Sequence, residues 1–241
     1  MDEHLAPRYP GLPSIVDGSE AIAHVETRIS EVACVYPITP STTMAAIFQA
    51  AVASGKGNLW GTPLRFIEPE SEHSSASAAE GAALAGGRVT NFTAGQGLVL
   101  MKEVLYVISG KRLPVVFHVG ARALTSQALN IHAGHDDVMA VADVGWRILF
   151  ARNAQEAADL TAIARRVAES TDTPFMVAQD GFLTTHLERT FYKHESQLIR
   201  EYLGAPEDII ECPTESQRVL FGRTRRRVPM REFHSGCFSC C

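Results

Sequence analysis

Val32-Ala-Cys-Val-Tyr-Pro-Ile-Thr-Pro-Ser-Thr-Thr-Met44 is the stretch whose reading decides the fold. Val32 to Tyr36 is a short apolar run of β type, Pro37 and Pro40 bracket Thr39, and Ser41 and Thr42 open an alanine-rich helical segment. Proline fixes φ and biases the residue before it away from the helical region, so the two prolines are expected to hold the Thr39 hydroxyl in one orientation above the strand end. A strand, a stiff turn and a helix start make one βα unit, and in open α/β sheets ligands sit at that edge. Thr39 is therefore expected to line an active site.

The same rhythm extends in both directions. Upstream, Ala21, Ile22, Val25 and Ile29 repeat at helical spacing behind Gly18-Ser19-Glu20. Downstream, the helix from about Ser41 to Ala53 is expected to stop at Ser54-Gly55-Lys56-Gly57. Further strands are read at Arg65 to Glu68, Arg88 to Phe92, Pro114 to Val119, Arg147 to Phe150 and Pro174 to Ala178. Between them lie a small-residue helix from Ser74 to Gly86, an apolar helix through Ile108, a long loop from Ala123 to His135, a short helix from Asp136 and a capped helix from Asn153 to Glu169. Strands that are apolar nearly throughout and alternate with helices predict a doubly wound, mostly parallel α/β sheet with helices on both faces. Past His186 the alternation fades into a polar, helix-compatible stretch from Glu188 to Glu201. The chain is thus divided into an N-terminal extension (1–15) that reads as a loose, proline-bearing opening, an α/β domain (16–187), a C-terminal extension or linker (188–230) and an atypical tail (231–241).

Composition narrows the function classes. No apolar run approaches the roughly 20 residues of a membrane span, because the best candidate, around Leu98 to Ile108, carries Lys102 and Glu103. The opening Met1-Asp2-Glu3-His4 is acidic where a secretion signal is basic, and the five cysteines (Cys34, Cys212, Cys237, Cys240, Cys241) are odd in number and crowded at the end. A cytoplasmic protein is expected. Net charge is −5 overall, but −10 over the first 217 residues, which gives the body little electrostatic reason to bind nucleic acid.

All strand-to-helix turns of such a sheet emerge on one edge, which nominates Thr39, Glu72, Thr93, Gln96, His118, Arg122 and Asp180. Each has a plainer reading beside the functional one. Thr39 can cap a turn, Glu72 can be an acid favoured by a helix dipole, and Thr93 to Gly97 lacks both a P-loop ending and a dinucleotide spacing. Arg122 is harder to dismiss, because a guanidinium at the end of a buried strand needs a carboxylate partner and a substrate can supply one. His132, His135, Asp136 and Asp137 invite a metal reading, but a polar loop with a helix cap explains them without a second ligand cluster. Cys237-Phe-Ser-Cys240-Cys241 resembles half a zinc or iron–sulfur site with no matching pair upstream.

Seven separated motifs then agree in order with a known family: Asp17-Gly-Ser-Glu-Ala21, Tyr36-Pro-Ile-Thr-Pro-Ser41, Asn58-Leu-Trp-Gly61, Glu70-Ser-Glu72, Phe92-Thr-Ala-Gly-Gln-Gly-Leu98, Phe117-His-Val-Gly-Ala-Arg-Ala-Leu124 and His135-Asp-Asp-Val-Met-Ala140. Over about Val16 to Met230 the chain resembles the N-terminal domain of pyruvate:ferredoxin (flavodoxin) oxidoreductases, the 2-oxoacid oxidoreductases that depend on thiamine diphosphate. The resemblance implies the fold that binds the pyrimidine half of that cofactor. It makes Glu72 the carboxylate on the aminopyrimidine ring, favouring the imino tautomer that takes the proton of the thiazolium carbon. It makes Arg122 the partner of the 2-oxoacid carboxylate and Thr39 a hydrogen-bond donor to the substrate, with Thr93 and Gln96 at the cofactor.

The resemblance further implies oxidative decarboxylation of a 2-oxoacid, pyruvate, to an acyl-CoA, with electrons leaving through 4Fe-4S clusters to ferredoxin or flavodoxin. Nothing here resembles the Gly-Asp-Gly and following Asn that hold magnesium and diphosphate, or the cysteine-rich cluster domains. Magnesium and the clusters are therefore expected in missing domains or subunits, and the chain is expected to be inactive alone and part of a homo-oligomeric enzyme. His73-Ser74-Ser75 stands where the family often has Ala-Gly after the glutamate, a departure at the pocket wall. The tail after Met230 departs altogether and reads as a truncation or a change of reading frame. Two other classes remain: a catalytically silent fragment or interaction module that keeps the fold, and a transketolase-type thiamine enzyme. Arg122 and Thr39 suit a carboxylate better than the sugar phosphate of the latter.

Overall fold

The computed structural model describes residues 7–126, 128 and 130–210. In chain order the elements are β1 (Leu12–Val16), α1 (Gly18–Ile29), β2 (Val32–Cys34), α2 (Thr42–Ala53), β3 (Arg65–Ile67), α3 (Glu72–Leu84), β4 (Val89–Thr93), α4 (Gly95–Leu100), α5 (Lys102–Gly110), β5 (Val116–Ala121), α6 (Asp136–Ala140), β6 (Arg147–Ala151), α7 (Ala154–Thr171), β7 (Phe175–Asp180), β8 (Arg189–Lys193), α8 (Ser196–Leu203) and α9 (Pro206–Ile209). Six strands form one sheet in the order β3-β2-β4-β5-β7-β6, every pairing parallel. The predicted doubly wound α/β architecture is present. No helix among the described residues is long and apolar enough to cross a membrane.

Alternation along the strands assigns side chains to two layers. In β5, Phe117, Val119 and Ala121 join Ala76, Ala79 and Ala83 of α3 and Val104, Leu105 and Ile108 of α5 in one buried cluster. Val116, from the opposite face of the same strand, packs with Ala164 and Ala168 of α7. Ala33 and Phe92 likewise turn towards Ile22 of α1 and Met44 and Phe48 of α2. The alanines of α3 let that helix lie close to the sheet.

Helix starts follow local chemistry. Asp17, Ser71 and Asn153 each cap a helix by accepting the backbone N–H three residues on, at 2.8, 3.3 and 2.9 Å. Asp172 ends α7 in the left-handed conformation, φ 49°.

Three readings need correction. The apolar segment through Ile108 is two helices, α4 and α5, divided at Met101. The opening around Pro10 and Pro13 is not loose: β1 pairs antiparallel with β8, Val16 opposite Arg189 and Leu12 opposite Lys193. The polar stretch after Glu188 accordingly begins as a strand, β8, and becomes helical only at Ser196. Phe191 of β8 is fully buried against Val25 and Ile29 of α1 and Ile199 and Leu203 of α8, in a cluster that also holds Val16 of β1, so this second sheet is attached through the helices, with Phe191 as its aromatic anchor. A single Phe in a polar pentapeptide is a weak strand signal, and the pairing joins segments at opposite ends of the sequence.

Candidate active site

The carboxyl ends of β2, β4, β5 and β7 meet at one edge. β2 leads into the Pro37–Pro40 turn, in which Ser41 closes on Ile38 through its backbone N–H (2.8 Å) and hydroxyl (2.7 Å). The Thr39–Pro40 peptide is cis, and Pro40 is buried against Gly120 at the end of β5 and Gly181 after β7. Thr39 itself is exposed. Its backbone carbonyl accepts a hydrogen bond from Arg122 Nη1 at 2.6 Å, so the contact runs through the main chain and leaves the hydroxyl at the surface.

Arg122 follows β5 immediately and is only 4% exposed. Its second amino group, Nη2, donates to Gln96 Oε1. Its Nε lies against Gly95, where an added Cβ would come within 2.2 Å of it; Gly95 also has φ +52°, so two independent constraints keep a side chain out. Burial pulls the Arg122 pKa below the usual arginine range, and the negative charges of Asp137 and Glu72 oppose that pull. Arg122 is a cation held in a desolvated place, the condition under which an incoming carboxylate gains most from pairing with it.

Glu72 is the first residue of α3, half-buried, and its carboxylate has no hydrogen-bond partner among the described residues. It rests on Gly97, whose hypothetical Cβ would stand 2.7 Å from Glu72 Cγ. The tripeptide Gly95-Gln96-Gly97 at the start of α4 therefore fits between Arg122 on one side and Glu72 on the other. Thr93, at the end of β4, is fully buried, and its hydroxyl also lacks a partner.

Asp137, read from the sequence only as a candidate metal ligand or a helix-cap acid, supplies a different part. Its Oδ2 accepts the backbone N–H groups of Gly95 (2.7 Å) and Arg122 (3.1 Å), and its Oδ1 accepts that of Val138 (2.8 Å). One buried carboxylate thus ties the end of β5 to the start of α4. Burial pushes its pKa up, while those three amides and the Arg122 charge pull it back. Two adjacent acids opening a short helix carry no signal that separates Asp137 from Asp136; the distinction comes only from which one the turn of α6 directs at the Gly95 and Arg122 amides.

Other candidates fall elsewhere. His118 lies in the middle of β5 and faces away from the edge, fully buried, with Nε2 2.8 Å from Glu26 Oε1 of α1 and its ring stacked on Phe92. Strand alternation explains this: His118 shares its face with Val116, not with Ala121. Asp180 reaches the edge, but its carboxylate accepts the N–H groups of Phe182 and Leu183 at 2.9 and 2.6 Å and shapes the following turn. Asp136 accepts from Leu124 N at 3.2 Å. Among the described residues no three His, Cys, Asp or Glu are grouped to hold a metal ion. The Cys237–Cys241 tail lies outside the described residues, and Cys34 is a buried thiol that burial pushes up to about 12.

Fold and edge together define a doubly wound α/β protein with its candidate site at the carboxyl ends of the strands. Comparison with known proteins agrees. A solved 2-oxoglutarate:ferredoxin oxidoreductase from Magnetococcus marinus shares the fold over 78% of this chain and 32% of its own, with a TM-score of 0.64 at 20% identity. The family model described as "Pyruvate flavodoxin/ferredoxin oxidoreductase, thiamine diP-bdg" matches residues 24–231, and the chain belongs to that family. Pyruvate-flavodoxin oxidoreductase from Klebsiella pneumoniae is 46% identical over 176 residues, and that from a Nostoc species 44% over 171. These matches cover 73% and 71% of this chain but only 15% and 42% of the relatives, so the chain spans less than half of their length.

Proposed function

We propose that this chain supplies the pyrimidine-binding half of a thiamine diphosphate-dependent 2-oxoacid oxidoreductase, and that it works together with domains or subunits carrying magnesium, diphosphate and 4Fe-4S sites. The observation that carries the reading is the edge itself, where a desolvated guanidinium and an unpartnered carboxylate flank Gly95-Gln96-Gly97 in a member of this family. The residues fit the cofactor. The absence of a side chain at Gly97 makes room for that of Glu72, and the Glu72 carboxylate, without a hydrogen-bond partner among the described residues, remains available to a ring nitrogen. Glu72 would hold the aminopyrimidine by accepting or sharing a proton there, with the buried Thr93 hydroxyl as a further polar contact. When bound, thiamine diphosphate supplies the electron sink that loss of a carboxyl group requires.

Arg122 would pair with the carboxylate of a 2-oxoacid, pyruvate in this proposal, and orient it. Thr39, anchored to Arg122 through its carbonyl, would present its hydroxyl to the ketone. The activity of the whole enzyme would be oxidative decarboxylation to an acyl-CoA, with electrons passed to ferredoxin or flavodoxin.

Isothermal titration of the isolated chain with thiamine diphosphate and Mg²⁺ tests the division of labour. Weak or absent binding alone, restored when the remaining domains are added, is expected. Tight binding with unaided decarboxylation of pyruvate would contradict it.

A further inference from the structure

Gln96 is the second residue of α4, and its amide bridges two otherwise separate groups. Oε1 accepts from Arg122 Nη2, while Nε2 donates to the hydroxyl of Thr125 in the loop that follows β5. An arginine only donates, so the amide turns Oε1 to Arg122, and its Nε2 end is left to donate to the Thr125 hydroxyl. The other amino group of Arg122 is held independently by the Thr39 carbonyl at 2.6 Å, and Nε is walled in by Gly95. With one tether on each Nη, the guanidinium plane is not free to turn about Nε–Cζ. Each Nη retains a second N–H that neither tether uses.

We infer that Gln96, latched by Thr125, is a positioning residue: it presets the plane of the Arg122 guanidinium so that its remaining N–H groups meet a substrate carboxylate without reorganisation. The inference rests on the reading of Arg122 as the carboxylate site. It replaces a contact of Gln96 with the cofactor by an action through Arg122. A fixed fork discriminates by geometry, whereas a mobile one would accept carboxylates in several poses.

Side-chain NMR of the full 241-residue chain, with Arg122 assigned through Arg122→Lys, reads the clamp directly. Resolved Nη1 and Nη2 signals are expected for the unaltered chain, reporting slow rotation, and averaged signals for Gln96→Met and Thr125→Val. Thr125→Ser keeps the hydroxyl and should restore the resolved pattern, a rescue that a merely structural role would not give. Averaged signals in the unaltered chain, or unchanged signals in both Gln96→Met and Thr125→Val, would overturn the inference. In the reconstituted enzyme, Gln96→Met should raise KM for pyruvate about tenfold, the scale of one lost charge-assisted hydrogen bond, with kcat within about threefold. A fall in kcat at unchanged KM would overturn the inference. If the NMR arm succeeds while Arg122→Lys leaves KM for pyruvate unchanged in the reconstituted enzyme, the clamp is supported and the carboxylate reading alone is removed.

Discussion

Arg122 shows how a single residue can be read correctly in kind and incompletely in detail. Its position after a buried strand marks it as a cation in search of an anion, a consequence of desolvation cost that needs no coordinates. The sequence could not show that Thr39 meets it through a carbonyl, or that Asp137 holds its backbone, because both contacts depend on how β5 lies beside α4. Asp137 gives a test at this scale. A carboxylate can accept all three N–H groups, whereas an amide has only one oxygen, so Asp137→Asn leaves at least one buried N–H facing another donor. Denaturant titration should show a loss of about 1–3 kcal/mol, with a larger KM for the 2-oxoacid in the reconstituted enzyme. Unchanged stability would mean that the clamp is not made.

At the scale of elements, the βα units around Val32–Met44 were legible because the strands are largely apolar and buried, and because α1, α3 and α7 begin at the capping residues Asp17, Ser71 and Asn153. The β1–β8 sheet was not, since its two strands are short and mixed in polarity and lie more than 170 residues apart. Its attachment depends on Phe191, so Phe191→Ala should cost about 3–5 kcal/mol by thermal or chemical unfolding. A change below about 1 kcal/mol would show that the second sheet is not coupled to the first.

The α1–β5–α7 layer carries a second test, through charge. Burial raises the Glu26 pKa, but Arg165, with Nη2 3.4 Å away, and the hydrogen bonds of His118 and Ser30 outweigh it and bring the carboxyl from 4.5 down to about 2. A depressed folded-state pKa contributes stability that is present above the unfolded value near 4.5 and is lost as pH falls towards 2. Glu26→Gln should therefore be less stable at pH 7, by about 3–5 kcal/mol because Arg165 keeps its burial and loses its partner. It should also show a flatter loss of stability between pH 4.5 and 2 than the unaltered chain. Parallel pH profiles for the two proteins would contradict this account of α1.

For the whole molecule, the described residues build a six-stranded parallel sheet, and the proposed site occupies one edge of it. Arg122, Thr39 and Glu72 stand on a single edge, and the relatives of this chain are far longer than it is. The family was legible because most of the seven short motifs fall at or just after strand ends, where loop residues are constrained by chemistry, not by packing. Assembly was not legible, since surfaces such as the exposed Phe182 and Leu183 near that edge carry no pattern that names what covers them.

The central claim is that Glu72 serves the cofactor and Arg122 the substrate. Steady-state kinetics of the enzyme reconstituted with this chain separates the two roles. Glu72→Gln should abolish turnover, and Arg122→Ala should mainly raise KM for the 2-oxoacid while leaving measurable kcat. Retained activity in Glu72→Gln, or equal losses in both, would contradict the account.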